Sequence, residues 1–136
     1  MIARVVDEPL DLLFHVEHVS DPRAGAVATF VGLVRDNDPS VDGRVVALDY
    51  SAHPDAGAVI ERIASGFADA VLGLAVSHRI GHLAVGEAAI VAAVATAHRA
   101  EAFDVCRALV EQVKAELPVW KREVLEDGSH VWVGMT

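Results

Sequence analysis

Pro118 is the position that most limits how this chain can fold. Ahead of it, from His98 to about Leu117, the residues Phe103, Cys106, Val110, Val113 and Leu117 advance by threes and fours, the period of a helix with one face in a core. A proline ends such a helix, because its ring has no N–H to give and disfavours helical backbone in the residue before it. Beyond it, the β-rich runs 119–124 and 130–133 flank Asp127-Gly128, the pattern of a terminal hairpin. The fold must therefore carry a long helix that turns at once into a strand.

The two lysines of the chain, Lys114 and Lys121, stand on either side of that break, while nine arginines supply all the other fixed positive charge. Scarcity alone is met by two lysines on a solvated face. The turn at Pro118 adds more, because an ammonium on the helix and one on the following strand are brought toward one pocket. Two close ammonium groups depress each other's pKa, which suits one of them to deliver a proton near neutrality, a task closed to arginine.

The remaining segments read in order. Residues 2–6 form a short strand, and 9–19 a helix begun by Pro9 with Leu10, Leu13 and Phe14 on its inner side. The run 25–34 is nearly all apolar, as expected of a strand buried on both faces. Residues 36–43, dense in Asp, Asn, Pro, Ser and Gly, make a mobile loop before a strand at 44–52. Pro54 opens a helix through about Val71, with Val59, Ile60, Ile63 and Phe67 buried and Gly73 closing it. Strands at 74–80 and 87–96 join through Gly81 and Gly86 as an antiparallel pair. This irregular order predicts an α+β fold: one compact domain over 1–136, a mixed, largely antiparallel sheet with three helices packed on it. It is not the regular alternation of a dinucleotide-binding fold, and no glycine-rich phosphate loop is present.

A net charge of −9 without any basic cluster excludes bulk nucleic-acid binding. An anionic substrate would have to be captured by a few concentrated cations against that background. Arg35 ends the most apolar strand, where a ligand or an acid would meet it. His98 and Arg99 occupy the first turn of the long helix, where free backbone N–H groups favour an anion. The single cysteine, Cys106, rules out an internal disulfide and falls on the core stripe. His78 and His82 sit in a strand pattern, so no metal site is expected from them. No Ser-His-Asp set or Gly-x-Ser-x-Gly run supports hydrolysis. Without a signal peptide at the start or an apolar run of ~20 residues, the expected location is cytoplasmic.

Four segments carry a resemblance: Gly-Ala-Val-Ala-Thr-Phe-Val-Gly-Leu-Val-Arg at 25–35, Ser-His-Arg-Ile-Gly at 77–81, Ala-His-Arg-Ala-Glu-Ala-Phe at 97–103, and Lys-Ala-Glu-Leu-Pro-Val-Trp-Lys-Arg-Glu at 114–123. In this order, and over nearly the whole chain, they resemble the large, catalytic subunit of the molybdopterin synthase family. The resemblance implies a sulfurtransferase of molybdenum cofactor biosynthesis. Such an enzyme inserts two sulfurs into cyclic pyranopterin monophosphate and so forms the dithiolene of molybdopterin. The sulfur would arrive as a thiocarboxylate on the C-terminal glycine of a small ubiquitin-like partner, with this chain forming the dimeric core of a heterotetramer. No resident cofactor or metal is implied. By motif, Lys114 and Lys121 become the catalytic pair, with Arg35, His98 and Arg99 on the substrate. The backbone at Leu33 and Val34, and the side chains of Arg122 and Glu123, become further substrate contacts. Two residues follow Gly134, so closure of the pocket by a C-terminal tail is not expected. A docking module that only binds an acidic tail, and a phosphate-ester enzyme, are the competing readings.

Overall fold

The computed structural model describes residues 1–133, so the expectation about the tail after Gly134 lies outside the described residues. The chain runs β1 (Ile2–Val6), α1 (Leu12–His18), β2 (Ala26–Leu33), β3 (Val45–Ala52), α2 (Ala56–Ala68), β4 (Gly73–Arg79), β5 (Gly81–Ala84), β6 (Ala88–Thr96), α3 (Arg99–Glu116), β7 (Val119–Leu125) and β8 (His130–Val133). The α+β class stands as expected. The strands divide into two four-stranded sheets, ordered β1-β4-β6-β2 and β5-β3-β7-β8. Among the described residues only β1 and β4 run parallel; every other pairing is antiparallel.

In the first sheet β4 and β6 are buried on both faces, which is why they read as unbroken apolar runs. Helices α2 and α3 cover one face, packing Ile60, Ile63, Leu109 and Val113 against Leu74, Val76, Ile90 and Val94. Helix α1 covers the other, setting Val19 beyond its end against Ala75, Ala93 and Ala95. A second core, with Leu48, Tyr50, Leu83 and Leu125, lies under the second sheet.

The strand β5 was not expected, because four residues bounded by glycines look like a turn. Gly81 and Gly86 take φ of +95° and +89°, open to glycine and strained for other residues. Those bends let the chain leave the first sheet after β4, pair β5 with β3 in the second, and return as β6.

Four further expectations are corrected. Strand β2 is the edge of its sheet, not a strand buried on both faces, and Val27, Phe30 and Leu33 are exposed. Helix α1 is capped by Asp11, whose side chain accepts from the Leu13 N–H, and its buried residue is His15 rather than Leu13 or Phe14. A buried imidazole is tolerated there because both nitrogens are bonded, to the Asp11 carbonyl at 2.6 Å and the Ser77 hydroxyl at 2.7 Å. On α3, Phe103 is 66% exposed, while Ala102 and Leu109 complete the buried stripe. Gly73 opens β4 instead of closing α2; a Cβ there would stand 2.7 Å from the Val19 carbonyl oxygen.

Candidate active site

The break at Pro118 works as the spacing requires. Leu117 leaves the helix in extended geometry, with ψ near 121°. The Pro118 carbonyl then accepts the His53 N–H, and β7 runs back along β3. In that register Lys121 lies opposite Tyr50, Arg122 opposite Asp49 and Glu123 opposite Leu48. Because strand side chains alternate, Lys121 and Glu123 share one face of the sheet and Arg122 takes the other.

The first face walls a cavity of about 240 Å³. Lys114 enters from the last turn of α3, Lys121 and Glu123 from β7, and Leu48 and Tyr50 from β3. Leu33, Arg35, Asn37 and Asp38 close it from the end of β2 and the loop beyond. The two lysines and Arg35 thus meet, as expected. Burial pushes the Lys114 ammonium below its ordinary value, Lys121 pushes it further down, and Glu111 only partly opposes. Tyr50, the one tyrosine of the chain, has its hydroxyl pKa raised by burial and meets the His78 ring edge-on, with centroids 5.1 Å apart. His78 is itself buried, and burial holds it neutral with a pKa of about 4; its Nδ1–H donates to the Arg79 carbonyl at 2.8 Å.

Glu123 is 3% exposed. Its carboxyl is raised to about 7, first by burial and then by a hydrogen bond with Asp38, against the pull of Lys121 and Arg35. Asp38 is shifted downward by the same bond and by Ser40, whose N–H and hydroxyl donate to Asp38 Oδ1 at 2.9 and 2.7 Å. A pocket with three cations beside two acids, one of them raised to near neutrality, favours anions.

Other predicted residues lie elsewhere. Arg122 points to the outer face, where its Nη2 donates to Asp49 Oδ2 at 2.7 Å and Asp49 Oδ1 meets His82 Nδ1, also at 2.7 Å. Val34 is buried, and its backbone is already engaged, its N–H with the Glu87 carbonyl and its carbonyl with the Gly86 N–H. His98 caps the far end of α3 and, with Glu101 and Asp69, edges a separate cavity of about 310 Å³. Arg99 and Lys114 are separated by roughly 22 Å of helix axis, so one chain does not bring them together. Tyr50, Leu48, Asn37 and Asp38 were missed. The register of β3 against β7 would have named Leu48 and Tyr50, had the alternation been followed across the strands.

A half-buried lysine of lowered pKa in a cation-rich cavity, on a two-sheet α+β frame, is the kind of site that group-transfer enzymes build. The family model described as MoaE protein matches residues 5–116, and the chain belongs to that family. It is 40% identical over 141 residues to the molybdopterin synthase catalytic subunit of Oryza sativa subsp. indica, covering 96% of this chain and 69% of that protein. It is equally 40% identical over 136 residues to molybdopterin synthase catalytic subunit 1 of Mycobacterium tuberculosis, covering 96% and 89%. Among solved structures, molybdopterin synthase from Staphylococcus aureus superimposes with a TM-score of 0.87 at 28% identity, covering 97% of this chain and 96% of that one.

Proposed function

We propose that this chain is the catalytic subunit of a molybdopterin synthase. It transfers sulfur from the C-terminal thiocarboxylate of a small ubiquitin-like carrier to cyclic pyranopterin monophosphate, and the dithiolene results after two such transfers. The observation that carries the reading is the meeting of Lys114, Lys121 and Arg35 in one cavity across the Pro118 turn. Both reactants are anions, and the pocket concentrates cations in a chain of net charge −9.

Lys121 works closest to the sulfur transfer, and Lys114, the lysine of lowered pKa, stands by the acyl tail. Each C–S bond formed on the precursor displaces one of its oxygens, which takes a proton from a lysine. Water then adds to the acyl carbon as its C–S bond breaks, leaving the carrier as a carboxylate. Arg35 holds an anionic group of the substrate, and Leu33 covers its apolar side. His98 and Arg99 serve the pocket of a neighbouring copy, within a dimer that carries one small subunit on each side. No resident cofactor is invoked, since the sulfur arrives on the partner. In this reading the reaction runs in the cytoplasm.

The test is to mix the protein with a thiocarboxylated small subunit and the cyclic precursor, and to weigh the product. Addition of two sulfurs is expected. A Lys121→Ala protein that still completes the conversion at the normal rate removes the catalytic assignment.

A further inference from the structure

The Asp38–Glu123 contact presents a physical difficulty. Glu123 Oε1 is buried and no donor faces it among the described residues, a situation that costs a carboxylate heavily. Its neighbours divide by sign: Lys121 on its own strand, Arg35 beyond β2 and Lys114 on α3 are cations, Tyr50 on β3 is neutral, and Asp38 on the loop is a second acid. Asp38 is not free to turn away, because Ser40 holds its Oδ1 from both the backbone and the hydroxyl. Two carboxylates bond each other only with a proton between them. With that proton Glu123 is neutral, and its orphaned oxygen costs far less than a carboxylate's would.

We infer that Asp38 is a positioning residue that keeps Glu123 protonated through one shared proton, so that the two acids together carry a single negative charge. The consequence reaches the substrate. With one charge on the acid pair, Arg35, Lys114 and Lys121 are left in excess and free for the anions that enter; with two, the acids offset most of that field. The shared proton also ties the loop of residues 36–43 to β7, so the wall of the pocket and its charge state change together. As the pH rises through the titration of the pair, repulsion of anionic ligands grows. The functional half of this inference rests on the sulfur-transfer reading; the shared proton does not.

The first experiment therefore uses the protein alone. Side-chain carboxyl carbons of 13C-glutamate-labelled protein are titrated by NMR, with Glu123→Gln identifying the resonance. Glu123 is expected to titrate near pH 7, and in Asp38→Asn its midpoint falls by at least about one pH unit, since the amide can donate to an ionised Glu123. A wild-type midpoint in the ordinary range of about 4–5, or one unmoved by Asp38→Asn, overturns the inference.

The second experiment measures KM for the anionic precursor against pH in the sulfur-addition assay. In the wild type KM rises above about pH 7. Asp38→Asn starts that rise about one unit lower, while Glu123→Gln, a neutral isostere, removes it. A KM profile identical in all three proteins also overturns the inference. If no sulfur is added under any condition but the NMR midpoints behave as stated, the functional reading fails and the proton-sharing pair stands.

Discussion

Lys114, in the pocket, and His78, edge-on to Tyr50, are both pushed toward neutrality, first of all by burial. Replacing Lys114 by arginine keeps the charge and loses the proton, because a guanidinium stays protonated throughout the accessible range. The sulfur-addition rate of Lys114→Arg should fall by about 100-fold or more, the usual scale of a lost general acid, and single-turnover mass analysis will read it. His78 makes a separate prediction about stability. Its ordinary pKa is 6.5 and in the folded chain it is about 4. As pH falls below 6.5 the unfolded chain takes up a proton that the folded chain refuses until about 4, so stability declines between those values and is level above them. The limiting slope is about 1.4 kcal/mol per pH unit. Thermal unfolding followed from pH 7 to 5 should show it, and His78→Gln should flatten this component. At this scale the sequence made the lysines and Arg35 visible through scarcity and motif. It hid Tyr50 and Asp38, since their value comes from facing Lys121 and Glu123 across space.

Among the elements, Gly73 is hemmed in by the residue that ends α1, with three Val19 atoms inside 3 Å of where a Cβ would stand. A methyl group there would meet the Val19 carbonyl oxygen at 2.7 Å and the Val19 Cα at 2.8 Å, and both are backbone atoms that cannot step aside cheaply. Gly73→Ala should cost about 1–3 kcal/mol, seen as a lower denaturation midpoint with an unchanged denaturant slope. Element type and order were legible because α2 and α3 carry stripes of helical period and the strands carry β-rich runs. Which face is buried was less so. In the seven residues of α1 several faces are apolar, and the one turned inward holds His15, whose bonds come from Asp11 and Ser77 and leave no periodic trace. The strand β5 was invisible for a different reason: its partner, β3, is distant in sequence, and the two share a sheet that β4 and β6 on either side of β5 do not join.

On the scale of the molecule, the two ends of α3 pose the main question. Lys114 and Arg99 are separated along one helix, so a single small substrate meets both only if the chain acts as more than one copy. Arg99→Ala and Lys121→Ala should each be nearly inactive. Dissociated, mixed in equal amounts and reassociated, they should recover about a quarter of the wild-type rate, because half the dimers are hybrids and each hybrid holds one intact site. No recovery would remove the shared-site reading, and a fully active Arg99→Ala protein would place Arg99 outside the reaction. The apolar edge of β2 makes a related prediction: Val27, Phe30 and Leu33 are exposed there, with Phe103 on the neighbouring helix. Phe30→Asp should shift light-scattering mass toward the monomer without changing the circular dichroism spectrum.

The turn at Pro118 has one last consequence. The pocket receives Lys121 and not Arg122 only because of the parity of the residues counted from that proline. One residue inserted between Pro118 and Lys121 would leave almost the same composition and charge. It would carry Lys121 to the outer face beside Asp49 and leave the pocket with one ammonium in place of two. Odd and even along a single strand separate two lysines meeting in one cavity from an ordinary surface charge.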